Sequence, residues 1–342
     1  MKTGCYTALI TPFTQAGALD TQGLSQIIRF QIENGITGIL AAGTTGESPT
    51  LKWDEHNKLV ADVAALSKGK CLCIAGAGSN NTDEALEAVK HARHAGVDAV
   101  LLVDPYYNGP SSREIRLEYY EPVAKAFPDL EIIPYIIPGR TGTQMLPEDL
   151  ALLAGECSNV SSVKEATGSF DNMRRTRQCC GPDFTILSGD DAIVFKMMTD
   201  PDIRAAGCIS VMSNIVPKAL TDLVMFIDGG RMDEASALQR DLEPLLDVVT
   251  VVTEEMTPFG TVKCRARNPL SLKSLMQILG MPSGPCRRPM GRMTEQGLEK
   301  VVAAARKVQA SNSSVFEPLA SFFKVNIDER LENPKYRKGL VY

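Results

Sequence analysis

A lysine stands where a short β-branched run stops, in Asn159-Val160-Ser161-Ser162-Val163-Lys164-Glu165-Ala166-Thr167-Gly168. If the run is a buried strand, the lysine's stem packs among apolar groups, desolvation disfavours its cation, and its pKa falls toward the working pH. A neutral amine can attack a ketone. The position would equally suit a lysine that only snorkels its charge out of a strand end, so its neighbours must decide.

Four further stretches end apolar runs with reactive groups. Gly43-Thr44-Thr45-Gly46-Glu47-Ser48 combines small residues, two hydroxyls and backbone N–H groups. It suits a carboxylate nest with a proton-relaying threonine, or an ordinary strand-to-helix turn. Asp104-Pro105-Tyr106-Tyr107-Asn108 supplies two phenols. In Tyr135-Ile136-Ile137-Pro138-Gly139-Arg140-Thr141-Gly142, Tyr135 can serve as acid or base and Arg140 can grip a carboxylate with two prongs. Ser188-Gly189-Asp190-Asp191 offers a glycine at which a ligand can approach the backbone. A lysine, a tyrosine, paired threonines and an arginine are what a carbonyl-condensing Schiff-base enzyme requires, provided one scaffold brings them together.

The alternation of elements implies that scaffold. Strands are expected at Tyr6 to Ile10, Gly38 to Ala42, Leu72 to Ala75, Ala99 to Val103, Glu131 to Ile136, Val160 to Lys164, Thr185 to Ser188 and Ala206 to Ser210. Between them, helical patterns run over Thr21 to Glu33, Trp53 to Ser67, Thr82 to Ala95, Ser112 to Ala126, Pro147 to Gly155, Ser169 to Cys179 and Asp190 to Asp200. Thr82 is the expected cap of its helix and Gly96 its stop. Strand then helix, with strands apolar on both faces, predicts an α/β fold of the (β/α)8 TIM barrel type over residues 1–215. No Gly-x-Gly-x-x-Gly at the first turn argues for a dinucleotide fold. Only helical patterns follow, at about Pro217 to Ile227, Arg231 to Val251, Thr261 to Leu279 and Thr294 to Gln309, giving a C-terminal helical appendage over 216–309. Residues 310–342, with a weak helix around Phe316 to Val325, read as a peripheral tail. In such a barrel the strands' C-terminal ends form the active site, which is where the reactive stretches fall.

Composition narrows the function classes. A net charge of −5 leaves no concentrated basic face for nucleic acid. No apolar run reaches the roughly 18 residues of a membrane helix, and the N-terminus lacks the zones of a signal peptide. The nine cysteines have no metal or redox spacing and read as reduced thiols of a cytoplasmic protein, and three histidines do not make a metal site.

The motifs GTTGES at 43–48, DPYYN at 104–108, Tyr135 with Pro138 and Arg140-Thr141-Gly142, VKEATG at 163–168 and LSGDD at 187–191 together resemble the dihydrodipicolinate synthase and N-acetylneuraminate lyase superfamily. The resemblance runs from about residue 4 to about residue 308. Within it, Arg-Thr-Gly after the tyrosine segment looks like the dihydrodipicolinate synthases rather than the sialic acid lyases. It implies condensation of pyruvate with aspartate 4-semialdehyde, with Lys164 forming the pyruvate imine and no metal or organic cofactor needed. Thr44 and Thr45 would hold the pyruvate carboxylate, and Thr45 would pass protons between Tyr135 and Tyr107. Arg140 would bind the semialdehyde's carboxylate, while Gly189 and Ile209 would line the pyruvate pocket. The family's Tyr107 counterpart enters the neighbouring subunit's site, which implies a tight dimer within a homotetramer. Ser48, Trp53, His56, Asn80, Glu84 and Tyr106 match the family's lysine-feedback site. One departure is that Ile136-Ile137 stand where the family usually has Asn-Val, an expected change in the pocket wall. Two rivals stay open: another pyruvate-dependent aldolase, for a keto-deoxy sugar acid or 4-hydroxy-2-oxoglutarate, and a non-catalytic binding barrel.

Overall fold

The computed structural model describes residues 1–342. Eight parallel strands close a barrel in chain order: β1 (Gly4–Ala8), β2 (Gly38–Ala41), β3 (Leu72–Gly76), β4 (Ala99–Val103), β5 (Glu131–Ile136), β6 (Ser162–Glu165), β7 (Thr185–Ser188) and β8 (Gly207–Ser210), which returns to β1. Their two-faced apolarity has a direct cause. In β5, Ile133 and Tyr135 join the cluster that fills the barrel, whereas Ile132 and Ile136 join the larger core under the helices. In β4, Ala99 and Leu101 point in, and Val100 and Leu102 point out.

The helices Thr21–Glu33, Trp53–Ser67 and Thr82–Ala95 begin and end where the periodicity places them. The cap of the third is a correction: the Asn81 side chain accepts from the Asp83 N–H, while the Thr82 hydroxyl donates to the Glu118 carbonyl at 2.8 Å. Gly96 closes that helix at φ 79°, a left-handed angle that only glycine adopts cheaply. Between β4 and β5 the helix is α-helical over Ser112–Glu114, widens to π pitch over Ile115–Tyr120 and resumes over Glu121–Ala126. Pro122, lacking an N–H, sits at the resumption, which accounts for a break in the regular ladder.

After β8 the expectation of helices alone fails. Helices Pro217–Asp228 and Met232–Leu246 form, but an antiparallel hairpin follows, β9 (Val251–Thr257) and β10 (Gly260–Ala266), in place of helix at the end of Arg231 to Val251 and the start of Thr261 to Leu279. The cause is local. Val251 and Thr253 are buried while Val252 and Glu254 are exposed, a period of two, and Pro258-Phe259-Gly260 makes the turn. The helical pattern resumes as Leu270–Ile278 and Glu295–Ser311. Nor is the segment 310–342 peripheral in its packing. Phe316, Leu319, Ile327, Leu331 and Leu340 are buried in the main core, and Phe322 and Phe323 stack on Phe30 at 5.3 and 5.2 Å.

Candidate active site

The register between β5 and β6 sets Tyr135 directly opposite Lys164, and Lys164 opposite Leu187 of β7. Both reactive side chains therefore face the barrel's interior. Lys164 is 4% exposed, and its Nζ lies over the Tyr135 ring, 4.2 Å from the centroid. Burial is the main influence, drawing its pKa down to about 7; the charge of Arg140 acts the same way, and Asp191 opposes. A side chain so buried does not snorkel its charge out to water, and near neutral pH part of it is the free amine. Burial pushes the Tyr135 phenol up to about 12, against the pull of Arg140 and of the Thr44 hydroxyl, so it stays protonated as a donor.

These groups line one cavity of about 420 Å³, together with Thr44, Thr45, Arg140, Gly189, Asp190, Asp191 and Asn268. Gly189 is needed for space: a Cβ there would stand 2.9 Å from Ala166 Cβ and 3.1 Å from Lys164 Cε. Asp191 accepts the Val211 and Met212 N–H groups at 2.9 Å each, which holds a buried carboxylate close to the lysine. The Thr44-Thr45 turn is braced from the far end of the chain, because Glu47 pairs with Lys273 at 2.8 Å and Asn268 Nδ2 donates to Thr45 Oγ1 at 2.9 Å.

Ile209, expected at this site, stands elsewhere, and Tyr107, expected to enter a neighbouring subunit's site, lies outside this cavity. Ile209 packs in the barrel's inner cluster rather than lining the cavity. Tyr107 is 84% exposed, on a loop shaped by Asn80 Oδ1, which accepts the Tyr106 and Tyr107 N–H groups at 2.7 and 3.2 Å. The Ile136-Ile137 change acts only in part on the pocket wall: Ile137 lines the cavity, but Ile136 is buried under the outer helices. Asn268, Arg265 and Arg267 also line the cavity and escaped the sequence reading. The alternate spacing of Lys263, Arg265 and Arg267, which is strand periodicity, was the available signal.

Ser48, Trp53, His56, Asn80, Glu84 and Tyr106 do come together, around a second cavity of about 520 Å³ that shares Thr44 and Arg140 with the first. His56 is held neutral by burial; its Nε2 lies 2.8 Å from the Gly76 carbonyl, and its Nδ1 has no partner. Glu84 accepts from the Ser79 hydroxyl at 2.5 Å and keeps its second oxygen for another donor.

Residues 1–308 match the model of the dihydrodipicolinate synthetase family. The chain belongs to that family. Its 4-hydroxy-tetrahydrodipicolinate synthase relative from Syntrophus aciditrophicus is 38% identical over 301 residues, covering 88% of this chain and 96% of the relative. The structure of the 4-hydroxy-tetrahydrodipicolinate synthase of Methylacidiphilum fumariolicum SolV superposes with a TM-score of 0.83 at 33% identity, over 93% of this chain and 99% of that one. A dihydrodipicolinate synthase from Cyanidioschyzon merolae, solved with lysine bound, gives 0.81 at 34% identity, over 90% and 98%. The family match stops short of the last helical segment, so the packing of Phe322 and Phe323 on Phe30 lies outside it.

Proposed function

We propose that this chain is a 4-hydroxy-tetrahydrodipicolinate synthase, a class I aldolase-type lyase of lysine and diaminopimelate biosynthesis that condenses pyruvate with aspartate 4-semialdehyde. The observation that carries the reading is Lys164, a buried amine titrating near 7, facing Tyr135 in the cavity that Thr44, Thr45 and Arg140 also line. Neutral Nζ adds to the ketone carbon of pyruvate, and the adduct loses water to give an imine. The imine acidifies the pyruvate methyl group; loss of its proton gives an enamine, whose carbon attacks the aldehyde. The acceptor's own amine then attacks the imine carbon, closing a ring and releasing Lys164.

Thr44 and Thr45 hold the pyruvate carboxylate, and Arg140 holds that of the acceptor. Tyr135 exchanges protons through Thr45 with Tyr107 of a neighbouring copy, for which an 84% exposed phenol is suitably placed. This makes the working form a dimer at least, within a homotetramer. No helix of the chain is long and apolar enough to cross a membrane, and we assign the enzyme to the cytoplasm. Lysine is the proposed feedback ligand of the second cavity, with Glu84 and the free His56 Nδ1 taking ammonium N–H groups.

Borohydride reduction in the presence of pyruvate, read by mass spectrometry, tests the central step: the expected adduct is on Lys164, and its absence overturns the reading. Comparison of aldehyde acceptors separates this enzyme from other pyruvate aldolases.

A further inference from the structure

We propose that Arg267, at the exit of the β9–β10 hairpin, is a specificity-determining residue that joins Arg140 in a two-guanidinium clamp on the acceptor's carboxylate. The inference rests on the Lys164 reading above and adds the acceptor side to it. Arg140 comes from the one-turn helix Pro138–Thr141 after β5 and Arg267 from a segment more than a hundred residues later, yet both line the cavity that holds Lys164. Each reaches the backbone beside the other. Arg140 Nη2 donates to the Asn268 carbonyl at 3.4 Å, and both terminal nitrogens of Arg267 lie 3.5 Å from the Gly139 carbonyl.

These are long contacts, and most of the N–H groups on both forks are left free. Arg116 and Arg287, by contrast, are each paired with a carboxylate, Asp149 and Glu55. The cavity's own carboxylates do not neutralise the clamp. Asp191 gives Oδ2 to the Val211 and Met212 N–H groups and leaves Oδ1 without a partner, Asp190 accepts from the Ala192 N–H, and no ion pair links Asp190, Asp191 or Asp247 to either arginine. Two cations held side by side over a partly desolvated cavity repel one another until an anion bridges them. The Arg140 pKa is lowered, chiefly by burial, with Tyr135 opposing and the charge of Arg267 adding a smaller push in the same direction as burial.

A second, independent observation points to the same ligand. Asn268 is 8% exposed and lines the cavity; its Nδ2 is committed to Thr45, but its Oδ1 has no partner. A buried carbonyl oxygen beside two free guanidinium groups suits a carboxylate that carries an N–H or O–H donor on the adjacent carbon. The acceptor class is therefore an aldehyde bearing an α-amino or α-hydroxy acid, and plain aldehydes of the same length are selected against.

Arg267→Gln and Arg267→Lys test this in the full-length enzyme, with aspartate 4-semialdehyde and butanal as the two acceptors. In Arg267→Gln the KM for the semialdehyde should rise about tenfold or more, the loss of one charge-assisted contact, and the preference for semialdehyde over butanal should fall by a similar factor. The KM for pyruvate and the yield of borohydride-trapped Lys164 adduct should stay within about twofold, since neither depends on the clamp. Arg267→Lys, which keeps the charge and loses the fork, should fall between the two. An unchanged semialdehyde KM in both variants overturns the clamp, as does a parallel loss of pyruvate affinity or adduct, which marks Arg267 as merely structural. A wild-type enzyme that forms no Lys164 adduct sinks the underlying function instead, and that result is read before any variant is compared.

Discussion

Glu47 and Lys273 form an ion pair at 2.8 Å with both side chains out of water, 0% and 1% exposed, joining the turn that carries Thr44 and Thr45 to the helix Leu270–Ile278. The lysine also donates to the Thr11 and Pro285 carbonyls at 3.1 and 3.0 Å, and the second Glu47 oxygen accepts the Arg287 N–H at 2.8 Å. Every hydrogen of the ammonium is used. A pair so well satisfied is sensitive to losing one member, because the other is left charged and buried.

Lys273→Met should therefore cost about 3–5 kcal/mol of folding stability in urea denaturation. The double variant Glu47→Gln/Lys273→Met, which strands no charge, should recover a good part of it. A single-variant loss below about 1 kcal/mol, the scale of an exposed pair, would show that the turn is held by other contacts.

The depressed pKa of Lys164 fixes the sign of a pH effect. Below about 7 the amine is mostly cationic and cannot add to a ketone; above it the neutral form prevails. The initial rate of pyruvate imine formation should accordingly rise as pH increases through about 7. Because the folded chain binds this proton more weakly than the unfolded chain does, the wild type also loses stability as pH falls from about 10.4, the unfolded lysine value, toward 7. Lys164→Met should show neither effect, and a rate profile flat between pH 6 and 8 contradicts the assignment.

Asn268 holds Thr45 Oγ1 in place with one hydrogen bond. Removing it in Asn268→Ala should lower kcat about tenfold, the worth of one buried hydrogen bond expressed as a rate, while the fold survives. Circular dichroism and steady-state kinetics on the same sample separate the two quantities.

If Tyr107 serves a neighbouring copy's site, two inactive enzymes can repair each other. Mixing Lys164→Ala with Tyr107→Phe after co-refolding should restore a measurable fraction of wild-type activity, since some interfaces then hold one intact site. No recovery in mixed oligomers means that Tyr107 acts within its own chain or not at all.

Phe316 is fully buried beneath the last helices. Phe316→Ala should cost about 3–5 kcal/mol, and a chain truncated after residue 309 should melt well below the full-length protein. A truncation with unchanged Tm would return the tail to a decorative role.

Much of this molecule is written in local pattern. The eight strands, the bounds of Thr21–Glu33, Trp53–Ser67 and Thr82–Ala95, and the placing of Lys164 and Tyr135 at strand ends all follow from short-range periodicity and caps. Once the barrel is granted, strand ends share a rim, so Thr44, Thr45, Tyr135, Arg140, Lys164 and Gly189 had to meet, and they do. The six residues of the second cavity were found through the resemblance, not through their spacing.

What the tertiary structure alone decided lies in the last third of the chain. The stretch Val251 to Ala266 holds apolar residues that fit helical and strand periods alike, and pairing of Val251 with Ala266 settled the matter in favour of a hairpin. Its exit carries Arg267 and Asn268 to the cavity, where Asn268 meets Thr45 across 223 positions of sequence. The tail looked peripheral because it begins Ser-Asn-rich and ends charged, yet Phe322 and Phe323 find Phe30 on a helix near the other end of the chain. Local propensity specifies what each segment becomes, but contacts of this range depend on how whole elements pack, and no window of sequence contains both partners.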